Sequence, residues 1–157
     1  MQYVYDSYIQ SYTNAHRKNI CYTYCMKLLY TLLLTIPCIA AIDLVWLGFF
    51  AKQFYHSQMS PIVTIEFNWL YVALFYICYI IGLTIFVLKP GIEAQSLSKT
   101  LTLAALFGFF CYMTYDLTNM ATIKNWPLSL AVVDMAWGVV ITTVTAYIAY
   151  SIYFLLP

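Results

Sequence analysis

Four stretches of this chain are long and apolar enough to cross a lipid bilayer as helices, and nothing else in the sequence restricts its fold as strongly. They cover residues 28–51, 69–89, 100–120 and 128–154. About 20 apolar residues, rising roughly 1.5 Å each, span about 30 Å of hydrocarbon. No water reaches a spanning backbone, so it must satisfy its own hydrogen bonds; helices and closed barrels are the two solutions. The runs are continuous and lack the period-two alternation of a barrel strand. The expected fold is therefore all-α: a polytopic membrane protein with a four-transmembrane-helix bundle in residues 27–157 and a short polar N-terminal segment in residues 1–26. Composition agrees, because only 8% of the 157 residues are charged, where a soluble domain carries roughly a quarter.

The first 26 residues, "MQYVYDSYIQSYTNAHRKNICYTYCM", hold no apolar core of the kind a cleaved leader needs. The expectation is a retained first span behind a cytoplasmic or interfacial segment. Pro61, Pro90 with Gly91, and Pro127 mark the breaks between spans, and Pro37 is a candidate kink within the first. Cys38, Cys78 and Cys111 fall inside apolar runs, where cysteine behaves as a small hydrophobe. Cys21 and Cys25, four apart, invite acylation or a disulfide just before the first span. Arg17, Lys18, Lys27, Lys89 and Lys99 fall on one side of the four-span topology, Lys52 and Lys124 on the other. That bias sets both termini in the cytoplasm. A net charge of +1 without a basic patch excludes nucleic acid as a partner; membrane lipid is the partner that composition implies.

Three of the six acids, Asp43, Asp116 and Asp134, lie within or at the edge of the spans. An aspartate near a helix centre costs on the order of 2.5–3.5 kcal/mol to insert, so such residues face the bundle interior and find partners. Spans one and three run outward and span four runs inward, which brings all three acids to a similar depth in the outer half, and the expectation is a single carboxylate cluster of Asp43, Asp116 and Asp134. Their neighbours reinforce the pattern. Tyr112, Asp116 and Asn119 share one helical face, and Asp43 with Trp46 and Asp134 with Trp137 repeat an acid–tryptophan spacing of three. Trp126 stands before Pro127 at the start of the fourth span, and Glu66 and Asn68 stand at the mouth of the second. The candidate ligand-binding set is Asp43, Trp46, Tyr112, Asp116, Asn119, Trp126, Asp134 and Trp137. The structural alternative is that the acids accept hydrogen bonds from Tyr or Trp across helices and act as interhelical glue.

The fragments "AIDLVWLG", "YDLTNMATIKNWP" and "VDMAWG" resemble the signature of a family of small bacterial membrane proteins, domain of unknown function 2177. The likeness runs over about Leu28 to Phe154 and leaves the tail before Lys27 outside it. It implies a four-span bacterial inner-membrane protein whose pattern contains Asp43, Asp116, Asp134, Asn119, Trp126, Pro127 and Trp137, but no reaction or substrate.

Chemistry leaves three functions open. The leading one is binding or transport of a small molecule or cation at the carboxylates, with proton coupling. The second is a membrane enzyme acting on a lipid or isoprenoid, with Asp43, Asp116 and Asp134 as candidate acid, base or stabiliser. The third is a structural or accessory subunit. No cofactor is evident; oxygen donors from the acids and Asn119 suit a divalent cation, whereas zinc lacks Cys or His at ligand spacing. Four helices enclose little space, so a transport path calls for a homo-oligomer.

Overall fold

The structure, a computed structural model, describes residues 2–59 and 68–156, with side chains for residues 22–46, 48–49, 51–58 and 68–156. Glu66 and Pro61 lie outside the described residues, and the side chains of Arg17, Lys18 and Cys21 lie outside the described side chains. Helix α1 (Gln2–Val45) passes into a π-helical turn, Trp46–Phe50, and then a short helix α2 (Lys52–Met59). Helix α3 (Trp69–Leu83) continues through a second π-helical turn, Thr84–Leu88, into α4 (Lys89–Glu93). Two long helices follow, α5 (Leu97–Thr122) and α6 (Leu128–Leu155). Among the described residues there is no strand, and four helical segments have the length and apolarity to cross a membrane: Tyr22–Val45, Trp69–Glu93, Leu97–Thr122 and Leu128–Leu155. The chain is an all-α, four-helix membrane protein.

Element ends follow local chemistry, and several differ from the sequence expectation; α5 starts at Leu97 rather than at residue 100. Ser96 caps α5 by accepting from the Lys99 amide at 3.2 Å, and Asn68 caps α3 by accepting from the Leu70 amide at 3.2 Å. Asn125, at φ 65°, makes the left-handed turn between α5 and α6, a conformation asparagine tolerates better than most side chains. The second span does not stop at Lys89. It runs to Glu93, because the π-helical turn ends just before Pro90, at a helix start where no amide is required of proline. The first span ends α-helical geometry at Val45 rather than at residue 51, where Trp46–Phe50 widens into the π turn closed by the Ala51 amide on the Trp46 carbonyl at 2.8 Å. The N-terminal segment is the first part of α1, continuous with the span.

Packing is inside-out relative to a soluble bundle. Large apolar groups such as Phe49, Leu33, Phe86 and Phe110 face outward. The interior holds Leu83, Leu88, Leu130 and Ile141 together with Thr31, Thr35, Thr100, Thr142, Thr145 and small residues such as Ala104, Ala146 and Ala149, all at most 2% exposed. Lipid tails are as apolar as leucine, so helices associate through close contact of small residues rather than hydrophobic burial. The α5–α6 seam shows this directly. A Cβ added to Gly108 would meet the Gly138 carbonyl carbon at 2.8 Å, and one on Gly138 would meet the Gly108 carbonyl oxygen at 2.9 Å. Only glycine at both positions allows that approach.

Candidate functional site

The seam fixes a register. Gly108 sits against Thr142 and Tyr112 against Gly138, each step of four along α5 matched by a step of four back along α6. Continued by four residues along each helix, this count brings Ala104 to the level of Ala146 and Asp116 to the level of Asp134. Repetition at four keeps each row on one helical face. All three acids lie in span helices and are buried: Asp43 at 9%, Asp116 at 0% and Asp134 at 6% exposure.

Asp43 ties three helices together. Its Oδ2 accepts from the Tyr76 hydroxyl of α3 at 2.6 Å, and its Oδ1 accepts from Trp137 Nε1 of α6 at 3.0 Å. Trp137 stacks on Trp46 with ring centroids 4.2 Å apart and planes 9° from parallel. The Trp46–Trp137 stack and a hydrogen bond from Lys27 Nζ to the Leu156 carbonyl at 2.9 Å set the α1–α6 register, nineteen residues apart on both helices. On that register Asp43 stands opposite Val140, six residues from Asp134, or roughly 9 Å along the axis. The acids therefore share one half of the bundle without sharing one level: Asp116 and Asp134 are level, and Asp43 is deeper.

Asp134 accepts a hydrogen bond at Oδ1 from the Tyr55 hydroxyl. Tyr55 belongs to α2, so this polar helix is folded back over the acid. A hydrogen bond from Ser129 Oγ to Gln58 Oε1 at 3.4 Å adds a second link between α2 and α6. The Tyr112 ring packs on Gly138, the α6 residue next to Trp137.

Asp116 is held differently. Its Oδ1 accepts from Trp126 Nε1 at 3.3 Å, which closes the α5–α6 turn, and Tyr115 meets the Trp126 ring edge-on at a centroid distance of 6.1 Å. The other carboxylate oxygen, Oδ2, is buried without a hydrogen-bond partner. Asn119 turns its amide into the same interior beside Tyr115. Thus Asp43, Trp46 and Trp137 form one group, with Tyr112 packed on the adjacent Gly138 and Asp134 one turn before Trp137 on α6, while Asp116, Asn119 and Trp126 form another at the turn. His56 is exposed on α2.

Among the described residues, no three Asp, Glu, His or Cys side chains gather into a set that would hold a metal ion. Among the described residues, the hydrogen-bond donors to the three acids are all neutral: Tyr76, Trp137, Tyr55 and Trp126. Sequence reading missed Tyr55, Tyr76 and Tyr79. Tyr76 and Tyr79 sit three apart in an apolar run, the spacing of one helical face; with sixteen tyrosines in the chain, that signal was lost among interface candidates. Tyr79 hydrogen-bonds Thr142, whose own hydroxyl donates to the Gly138 carbonyl.

Residues 26–151 match the family described as a predicted membrane protein, DUF2177, a stretch that covers the four spans almost entirely. No curated protein matches the chain significantly. No solved structure does either. The match begins at Met26, so the first part of α1 is outside it, and it contains Asp43, Asp116, Asp134 and the described aromatic donors to them. A multi-pass membrane protein built on this bundle, the chain belongs to the DUF2177 family.

Proposed function

We propose that this protein binds a cation or an amine-bearing small molecule at Asp43 and Asp134, as a multi-pass protein of the bacterial inner membrane. One observation carries the reading: Asp43 and Asp134 are both buried within spans, on α1 and on the α6 helix whose Trp137 donates to Asp43, and every described donor to the two acids is neutral. Each such acid costs on the order of 2.5–3.5 kcal/mol to bring into a span. A bound cation offsets part of that cost. Trp46 and Trp137 add ring faces that attract positive charge. A proton can take the cation's place, which is the chemistry of proton-coupled transport.

A second reading has its own support. Asp43 already joins α1 to α3 and α6, and Asp134 joins α2 to α6, as interhelical glue does. Titration of the protein in phosphatidylcholine nanodiscs with methylammonium, read by calorimetry and tryptophan fluorescence, separates the two. Cation binding predicts saturable association that Asp43→Asn and Asp134→Asn each weaken at least tenfold. Glue predicts no association in the wild type and lowered unfolding stability in both variants.

The positive residues support an orientation with both termini in the cytoplasm. Lys27 meets the end of α6, and Lys89 and Lys99 flank the neighbouring turn, while Lys52 and Lys124 occupy the opposite end. α2 and the α5–α6 turn then face outward. A C-terminal alkaline phosphatase fusion should stay inactive in this orientation; an active fusion refutes it.

A further inference from the structure

A groove of about 470 Å³ lies beside the cation site, between α1 and α6, lined by Ala41, Ile42, Val45, Trp46 and Trp137. Small-molecule pockets occupy roughly 300–1,000 Å³. Ala41 and Val45 are exposed on the outer face of a span, so the groove opens sideways into hydrocarbon. Its inner wall is also the wall of the site: Trp137 lines the groove, stacks on Trp46, and donates through Nε1 to Asp43. An apolar trough therefore meets a buried carboxylate across a single indole.

We infer that the bound cation is an amphiphile, a protonated amine on an alkyl chain, which enters sideways from the bilayer between α1 and α6. This rests on the cation site proposed above. Its chain lies in the groove and its ammonium group passes the tryptophan pair to Asp43. Charge complementarity selects this occupant. A neutral acyl chain fills the groove and leaves both acids uncompensated, whereas an inorganic cation has no use for an apolar trough. The chain gains little from burial, because the lipid it leaves is equally apolar. Its contribution is delivery: it concentrates the amine in the membrane, at the depth of Asp43.

The test compares dodecylamine with methylammonium in phosphatidylcholine nanodiscs, with dodecylamine expressed as mole fraction in the lipid. Ala41→Trp and Val45→Trp fill the groove from exposed positions, and thermal unfolding checks that each variant folds; if one does not, the other carries the same readout. The expected result is an at least tenfold loss of dodecylamine affinity in the filled variants, with methylammonium, which reaches the site from the α2 end, within twofold of wild type. Loss of dodecylamine binding in Asp43→Asn completes the expectation. Unchanged dodecylamine binding in both filled variants, or in Asp43→Asn, overturns lateral entry and leaves the cation site standing. If neither amine binds the wild-type protein, the cation site itself falls.

Discussion

Gly108→Ala is the substitution that tests the α5–α6 register most directly. Its Cβ would lie 2.8 Å from the Gly138 carbonyl carbon, with the carbonyl oxygen and Thr142 Oγ1 nearer still. Carbon atoms in ordinary contact stand roughly 3.5–4.0 Å apart, so the two helices must part by about 1 Å. A gap of that size forfeits roughly a quarter to a half of the dispersion well for each pair across it. Overpacking of this kind costs about 1–3 kcal/mol, and the obstacle here is backbone, which places the expected loss at ~2–3 kcal/mol. Two other glycines provide the scale. A Cβ on Gly82 meets the tip of the Phe107 ring at 2.9 Å, a side chain able to swing aside, and the loss should stay below about 1 kcal/mol. A Cβ on Gly48 meets nothing within 4 Å, so its replacement should be neutral or stabilising by up to about 1 kcal/mol, the helix advantage of alanine. Equilibrium unfolding in mixed micelles, followed by tryptophan fluorescence, gives the order. If Gly108→Ala unfolds no more readily than Gly48→Ala, the helices are not in close contact there, and the level shared by Asp116 and Asp134 is lost with that contact.

Three further outcomes are expected. Tyr76→Phe removes one donor from Asp43 and should cost about 0.6–1.7 kcal/mol; in an Asp43→Ala background that penalty should vanish, and its persistence in a double-mutant cycle refutes the assignment. Tyr55→Phe releases α2 from Asp134, so amide exchange across Lys52–Met59 should quicken at least tenfold with the spans unchanged; equal protection in the two proteins means that α2 is held by something else. Trp126→Phe should cost about 1 kcal/mol and loosen the α5–α6 turn, whereas Asp116→Asn, which keeps the accepting oxygen, should cost less than about 0.5 kcal/mol. Loss of methylammonium binding in Asp116→Asn would show that restricting the site to Asp43 and Asp134 is mistaken.

Sequence alone determined the spans, because insertion into lipid depends on the length and apolarity of a single segment and on no other part of the chain. The start of the second span was read at Trp69, as observed, but the third was expected from residue 100, whereas Ser96 starts α5 at Leu97 by capping the Lys99 amide. The three acids were conspicuous because each is costly in a span, and antiparallel succession was enough to assign them to one half of the bundle. What each acid touches could not be read, because partners come from helices distant in the chain: Tyr76 lies 33 residues from Asp43, Tyr55 79 residues from Asp134. Depth within that half was decided by Gly108 and Gly138, whose close approach locks α5 to α6, and by the π turn after Val45, which carries Trp46 onto Trp137. Hydropathy is a property of a segment and survives being read in isolation; a hydrogen bond between helices depends on rotation and register, which exist only once the helices have packed.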